Sequence, residues 1–473
     1  MRERWTTDDG NRLDRAWDDH VAGRCLWRGR GCRRIHPDDL VRTSALLWVV
    51  ACLLPCAALA QSAPWALPAE GDCGALRVPS SAGEELRIYK PGQVVTREQL
   101  DSLRPFLPPE MWEQRGLFFF DGMRLELGPC FRRYAPPDFF AESTRQFAGQ
   151  SRLLENGGLV SGAAGLPFDP ATLTLEDPEI GQKWAWNVAH RYQAAGQFGD
   201  VRIVYADDGK TTVRIVGDFF LAQLSRRADL PGPDHRLPWA HSERWVAGGR
   251  TRDPSTGHRC AFRQLRSAEA DADPAVADNL FFFSSEMQRP ERVGWDPEFP
   301  LVACAYQRGI YLPHGGRVGR YRWRLVGVRD LVVPINMARP SYPEDPERDF
   351  GPSGASLASD RWELRRALVL EAGDESHRIR QYVDLETLFP LLLADGPFLV
   401  QSAGRWSEDR PGYPTWPDGT SRAARILDPV VTVTAMSGSR EVVRVEAWNS
   451  LGLPAEGKVL RTLVSPEALN REH

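Results

Sequence analysis

Apolar and polar positions along the chain follow two periods, and the change from one to the other divides the sequence. Ile180, Trp184, Val188 and Tyr192 recur every fourth residue, the stripe of a helix packed along one side. Asp177, Pro178 and Glu179 supply an N-cap residue, a first-turn proline and a first-turn acid, and Gly196 supplies a stop. On this reading Lys183, Asn187 and Arg191 face solvent, and Trp184 is a packing residue. An earlier, shorter helix starts at the Thr96…Gln99 capping box and runs through Leu103, stopping before Pro105.

Beyond Gly196 the period falls to two. Val201 to Ala206 and Thr211 to Gly217 flank Asp207-Asp208-Gly209-Lys210, a hairpin signal because Asp-Gly tolerates the positive φ of a tight turn. Between Gly319 and Gly327, Tyr321, Trp323 and Leu325 alternate with Arg320, Arg322 and Arg324, as in a half-buried antiparallel strand. Trp362 and Leu364 begin another strand, whose phase slips at Arg365-Arg366 in the manner of a bulge. Ile379 to Leu385 and Val442 to Trp448 continue the series, and the unbroken apolar run Leu280 to Phe283 fits a strand covered on both faces. Residues 226–257 and 338–360, rich in Pro, Gly, Asp and Ser, read as loops. The pattern predicts a mainly β protein with helices, built on a large curved antiparallel sheet or incomplete barrel. Residues 61–175 form a Pro-rich region with short helices, residues 176–473 the half-barrel, and 61–473 one continuous domain.

The stretch Ala45 to Leu59, preceded by Arg42 and followed by Ala60, has the length of a signal-peptide core and falls short of the roughly 20 residues that span a bilayer. Cleavage is expected near Ala60, with residues 41–60 as the signal. Residues 1–40 match no export n-region, and no Met lies between Met1 and Met111, so a start at Val41 is expected. A signal anchor is the alternative. The first reading places the protein in the periplasm, in association with the outer membrane.

Composition narrows the function. With 59 Lys+Arg against 63 Asp+Glu, the net charge of -4 excludes the concentrated cationic surface of a nucleic-acid binder. The 16 Trp and 20 Phe demand deep packing sites or a cavity. Past residue 60 four cysteines remain, Cys73, Cys130, Cys260 and Cys304. An even number in an exported chain points to two disulfides; of the three pairings, the sequence neighbours Cys73–Cys130 and Cys260–Cys304 are favoured.

Catalytic signals are scarce. HExxH, CxxC and GxSxG are absent from the sequence, and Gly209-Lys210-Thr211 imitates a phosphate-binding loop without its first glycine. Ser353 lies in a loop without the second flanking glycine of a nucleophile turn. His190, His235, His241 and His258 fit no familiar metal spacing, so no metal and no cofactor is expected.

Gly165-Leu166-Pro167-Phe168 and the helix with Trp184, Asn187 and Tyr192 resemble domain-of-unknown-function family 1329. So do Tyr321 to Gly327 running to Val333-Pro334-Ile335-Asn336, and Arg361 to Glu371 followed by Ile379 to Asp384. The resemblance covers roughly residues 85–465. It implies an architecture similar to the outer-membrane lipoprotein-sorting proteins LolA and LolB, in which an incomplete barrel wraps helices and holds acyl chains.

Three function classes follow: a non-enzymatic carrier or chaperone for a lipid, lipoprotein or other hydrophobic ligand; an envelope hydrolase or isomerase acting on an apolar substrate; and a structural adaptor to an outer-membrane or inner-membrane transporter. The carrier is favoured, with an acyl chain or hydrophobic small molecule as ligand. Phe281, Phe283, Tyr321, Trp323 and Leu325 are placed on the inner, ligand-facing surface, with a filled core as the competing reading. In a cavity Trp323→Ala costs little; in a filled core it costs about 3–5 kcal/mol.

Overall fold

The structure is a computed structural model that describes residues 65–74, 77–79, 85–87, 90–162, 164–193, 196–230, 232–233, 235–240, 242–287, 289–293, 317–373, 378–408, 425–436 and 438–452. The expected extension, the signal segment, His241 and Cys304 lie outside the described residues. Short strands come first. β1 (Arg77–Pro79) pairs with β2 (Glu85–Arg87), and β5 (Arg152–Leu153) pairs with β6 (Leu159–Val160). β3 (Val94–Val95) and β4 (Leu125–Cys130) join the main sheet. That sheet continues with β7 (Gly196–Asp207), β8 (Lys210–Gln223), β9 (Glu243–Arg252), β10 (Arg259–Ser267), β11 (Asn279–Ser284) and β12 (Glu291–Val293). It is completed by β13 (Arg324–Val333), β14 (Arg361–Gly373), β15 (Arg378–Asp384), β16 (Pro390–Asp395), β17 (Phe398–Glu408), β18 (Arg425–Met436) and β19 (Glu441–Gly452).

The order is β12-β11-β10-β9-β8-β7-β19-β18-β17-β16-β15-β14-β4-β3, with β13 alongside β14. β4 runs parallel to β14, and the other pairs of the sheet are antiparallel. β14 branches: β13 lines one side, while β15 and β4 share the other. The β7–β8 hairpin turns through Asp208 and Gly209 at φ 48 and 75, the paired positive values of a type I′ turn.

The sheet is strongly curled, and one helix proves it. The helix Ile180–Ala189, with 10 residues, is about 15 Å long. Its first turn lies on β13, where a Cβ on Gly181 would stand 2.3 Å from the Arg324 Cα. At its other end the Ala189 carbonyl accepts a 2.9 Å bond from Arg244 of β9. From β14 to β9 the sheet takes eight inter-strand steps, about 38 Å if flat at 4.8 Å each. Only a sheet wrapped around the helix reaches both ends.

This enclosure corrects the one-sided helix. Ile180, Trp184 and Val188 are buried as the stripe requires, but Trp186, Gln182 and Asn187 are buried too. Asn187 holds the Phe168 backbone at both N–H (3.0 Å) and C=O (2.7 Å), and Arg191 is also buried. The helix begins three residues later than its cap signal because Asp177 spends its carboxylate on the Glu179 N–H and on Lys183. The earlier helix is a 3-10 helix, Arg97–Phe106, with its capping box in place and Pro105 inside.

Several strand expectations shift. The alternating run 319–327 becomes a 3-10 turn followed by β13, so Tyr321 and Trp323 precede the strand instead of alternating within it. Arg365-Arg366 is no bulge with respect to β13, whose register there is continuous. Arg365 is instead a buried cation, bonded to Asp384 at 2.7 and 3.2 Å and to Glu386 at 3.0 Å. The expected loop 226–257 contains β9, hidden because Trp245, Val246 and Ala247 break the alternation and Gly248-Gly249 follow. Gly248 is needed there: a Cβ would meet the Phe220 ring at 2.6 Å. Near the sheet edge, Leu280 is buried but Phe281, Phe282 and Phe283 are half-buried, not covered on both faces.

One core lies outside the curl. Ala367, Val369, Tyr382, Leu392, Leu399, Ala403, Val431 and Val433 pack there against Leu100, Leu103, Phe118 and Phe119 of the N-terminal region and Leu357 of the long 338–360 loop. Cys73 is disulfide-bonded to Cys130, which fastens the start of the described chain to β4. Cys260 is also disulfide-bonded.

Candidate functional site

Side chains directly opposite each other in adjacent strands share a face, so one row of partners traces a face across the whole sheet. Leu370, Gln381, Leu393, Val400, Thr434, Val443 and Tyr205 form such a row from β14 to β7. Its β14 end, with Leu368 and Leu370, packs on Trp184 and Val188 of the enclosed helix, so this is the inner face. Its β7 end runs into a second apolar wall: Val201, Ile203, Ile215, Phe219, Leu221, Trp245, Val445 and Ala447, with Tyr205, Ala247 and Val443 beside them. β7, β8, β9 and β19 supply every residue of that wall. Gly217 lies in it opposite Val201, and a Cβ would sit 1.9 Å from the Arg250 carbonyl oxygen, so the close approach of the strands requires glycine.

The five residues placed on an inner ligand surface divide. Tyr321, Trp323 and Leu325 do meet on the inner face, within the core that holds Trp184 and Trp186. Trp323 is buried, donates from its backbone N–H to Gln182 Oε1 (3.0 Å) and from its ring to the Val318 carbonyl (3.2 Å). Phe281 and Phe283 belong to the outer face: Phe281 pairs with Arg263, Arg263 with Gly248, and Gly248 with Phe220. Phe220 packs with Leu224, Leu237 and Ala240 of the loop outside. Leu280 and Phe282 take the inward parity instead, because the continuous apolar run hides which residues point in.

At the rim of the curl, beside the C-terminal end of the helix, lies a cluster that periodicity does not reveal. Asp271, fully buried, accepts Arg226 (3.0 Å) and Arg244 (2.9 Å) at one oxygen and Arg266 (3.1 and 3.3 Å) at the other. Arg266 is shared with Asp278 at 3.2 Å, and Arg317 approaches Asp278 at 3.8 Å. Burial opposes ionisation of Asp271, yet Arg244, Arg266 and Arg226 outweigh it and hold the carboxyl below its usual range. His190 stands 3.8 Å from the same carboxylate. Burial, followed by repulsion from Arg244, Arg226 and Arg266, pushes its imidazole well below the ordinary value and keeps it neutral. Burial likewise lowers Arg244, to about 10.

A recess opens next to this cluster, lined by Phe139, Phe140, His190, Gln193, Arg226 and Arg244 among others. The space open to the centre of a water-sized sphere is about 40 Å³, room for a few waters and far too little for an acyl chain.

The hydrolase alternative has one local test. Ser285 Oγ lies 3.0 Å from His258 Nδ1, but Glu286 approaches the same Nδ1, at 3.9 Å. A relay needs the carboxylate on the other ring nitrogen, so this trio is not one. Ser353 donates to the Leu117 carbonyl (2.6 Å) and accepts the Ala355 N–H (3.2 Å), a turn-stabilising role. Among the described residues, no three His, Cys, Asp or Glu side chains are grouped to hold a metal, and no helix is long and apolar enough to cross a membrane.

No protein-family model matches the chain, and no curated protein matches it. Among solved structures, an outer membrane lipoprotein-sorting protein domain from Vibrio parahaemolyticus aligns at 8% identity and TM-score 0.36, over 62% of this chain and 99% of its own. A DUF1329 family protein from Desulfovibrio piger aligns at 10% identity and TM-score 0.35, over 60% and 96%. A LolA superfamily protein from Nitrosomonas europaea aligns at 10% identity and TM-score 0.28, over 57% and 92%. The chain is similar, at this distance, to lipoprotein-sorting, DUF1329 and LolA-superfamily structures.

Proposed function

We propose that the protein is a non-enzymatic carrier or chaperone of the cell envelope that takes a lipid, lipoprotein acyl chain or other hydrophobic ligand on the inner face of its curled sheet, working in the periplasm and exchanging cargo with a membrane-bound transporter. The observation that carries this is the strand-built apolar wall of Val201, Ile203, Ile215, Phe219, Leu221, Val445 and Ala447, on the face that the sheet curls around. A helix packs on the β13–β14 end of that face, whereas the residues clustered at the β7–β9 end all come from strands and are buried against one another. Burial of an alkyl chain contributes about 0.8 kcal/mol per methylene, so strands that part to admit a chain between these residues supply affinity without any cofactor.

Native mass spectrometry of the protein purified from its own envelope, followed by delipidation and titration with a fluorescent fatty acid, tests this reading. A lipid-sized adduct and saturable uptake of one probe per chain are expected. A folded, delipidated protein that takes up no apolar probe at all defeats it.

A further inference from the structure

The rim recess is built for something other than an alkyl chain. Asp271 and Asp278 are shared among Arg226, Arg244, Arg266 and Arg317, so the cations of the cluster outnumber the acids they pair with. Of the three guanidiniums, Arg226 is the exposed one: its side chain is 17% accessible, against 4% for Arg244 and 2% for Arg266. It makes a single bond to Asp271, through Nη1, which leaves the rest of its donor fork for the recess. Its backbone is held in the left-handed region, at φ 59, an uncommon conformation for a residue other than glycine.

His190 adds an independent sign. It is more than nine-tenths buried and lines the recess, and its Nε2, which has no hydrogen-bond partner, stands 3.8 Å from the Asp271 carboxylate. A buried ring nitrogen without a partner is costly unless something binds there. The other acid on the recess, Asp229, is taken by Arg227.

We propose that this recess binds a small oxyanion, a carboxylate or phosphate group, held by the free edge of the Arg226 guanidinium with the neutral ring of His190 beside it. Charge-assisted bonds of this kind are the strong ones in proteins, and a space of about 40 Å³ fits the few heavy atoms of such a group while rejecting a chain. The position at the rim of the curl makes the oxyanion the head group of an amphiphile whose tail lies on the inner wall. That last step rests on the carrier reading; the anion site itself does not.

The test uses the whole mature chain, delipidated, with Arg226→Asn, which suits a left-handed backbone and leaves Asp271 paired with Arg244 and Arg266. Arg226→Lys serves as the charge-retaining control. Binding of a fatty acid is compared with that of the alcohol of equal length, and thermal unfolding is followed with and without inorganic phosphate or acetate. Wild type is expected to prefer acid over alcohol by about tenfold or more, a preference absent in Arg226→Asn, partly kept in Arg226→Lys, with alcohol affinity unchanged. Protection by phosphate or acetate that vanishes in Arg226→Asn, with acid and alcohol bound equally or not at all, supports the anion site with a free anion as its ligand. Loss of all apolar binding then counts against the carrier reading alone. A folded wild type with neither an acid preference nor anion protection, or with both retained in Arg226→Asn, overturns the proposal.

Discussion

Asp271 joins strand, helix and loop through one side chain, because its carboxylate receives guanidiniums from β9, from β10 and from the loop after β8. Removing its charge leaves buried cations without their counter-ion. Asp271→Asn is therefore expected to cost about 3–5 kcal/mol in urea unfolding at pH 7, far above the cost at an exposed acid such as Asp253. The same cluster sets an acid limit. His190 is neutral when folded because its value lies well below 6.5, so the unfolded chain takes up a proton that the folded chain refuses. Its contribution is complete above about 6.5 and is lost as pH falls below that, whereas the depressed Asp271 loses its contribution only as pH falls below about 3.8. The midpoint of thermal unfolding should decline between pH 7 and pH 5, and His190→Gln should flatten that limb; an unchanged slope refutes the assignment. None of this was legible in sequence, since Arg226, Arg244, Arg266 and Asp271 follow no period.

At the scale of elements, periodicity found the helix and missed its surroundings. Ile180, Trp184 and Val188 reported the stripe correctly, but a spacing of four cannot say that the opposite side, with Trp186 and Asn187, is enclosed as well. Several long strands were legible where one face alternates, as in β8, β15 and β19, whereas β9, β10, β16, β17 and β18 were not read from the sequence, β9 because its two faces are both buried at Trp245 and Val246. Trp323 illustrates the limit most clearly. Alternation put it on the inner face, where it is, but its ring fills the core beside the helix and donates to Val318. Trp323→Ala is now expected to cost about 3–5 kcal/mol by calorimetry, and a loss below about 1 kcal/mol would show that the packing around it is not tight.

On the scale of the whole molecule, a mainly β fold on a curved sheet was expected from the sequence, while the strand order was not, because the register linking distant strands has no local signature. One join matters most: β7 pairs with β19 across Glu441↔Asp207 to Gly452↔Gln197, so the earliest long strand of the sheet waits for the last. During synthesis β7 therefore presents an unpaired edge and an apolar face until nearly all of the chain has arrived. Such non-local pairing slows folding and exposes the intermediate to aggregation. A chain ended after Met436, which keeps the enclosed helix and every strand but β19, is expected to lose cooperative unfolding and to be recovered largely as aggregate, whereas the same chain with β19 supplied as a separate peptide should regain a soluble fraction. The cost of closing the sheet with its last strand therefore falls on the newborn chain: through the long interval between the appearance of β7 and that of β19, its apolar wall has nothing of its own to cover it.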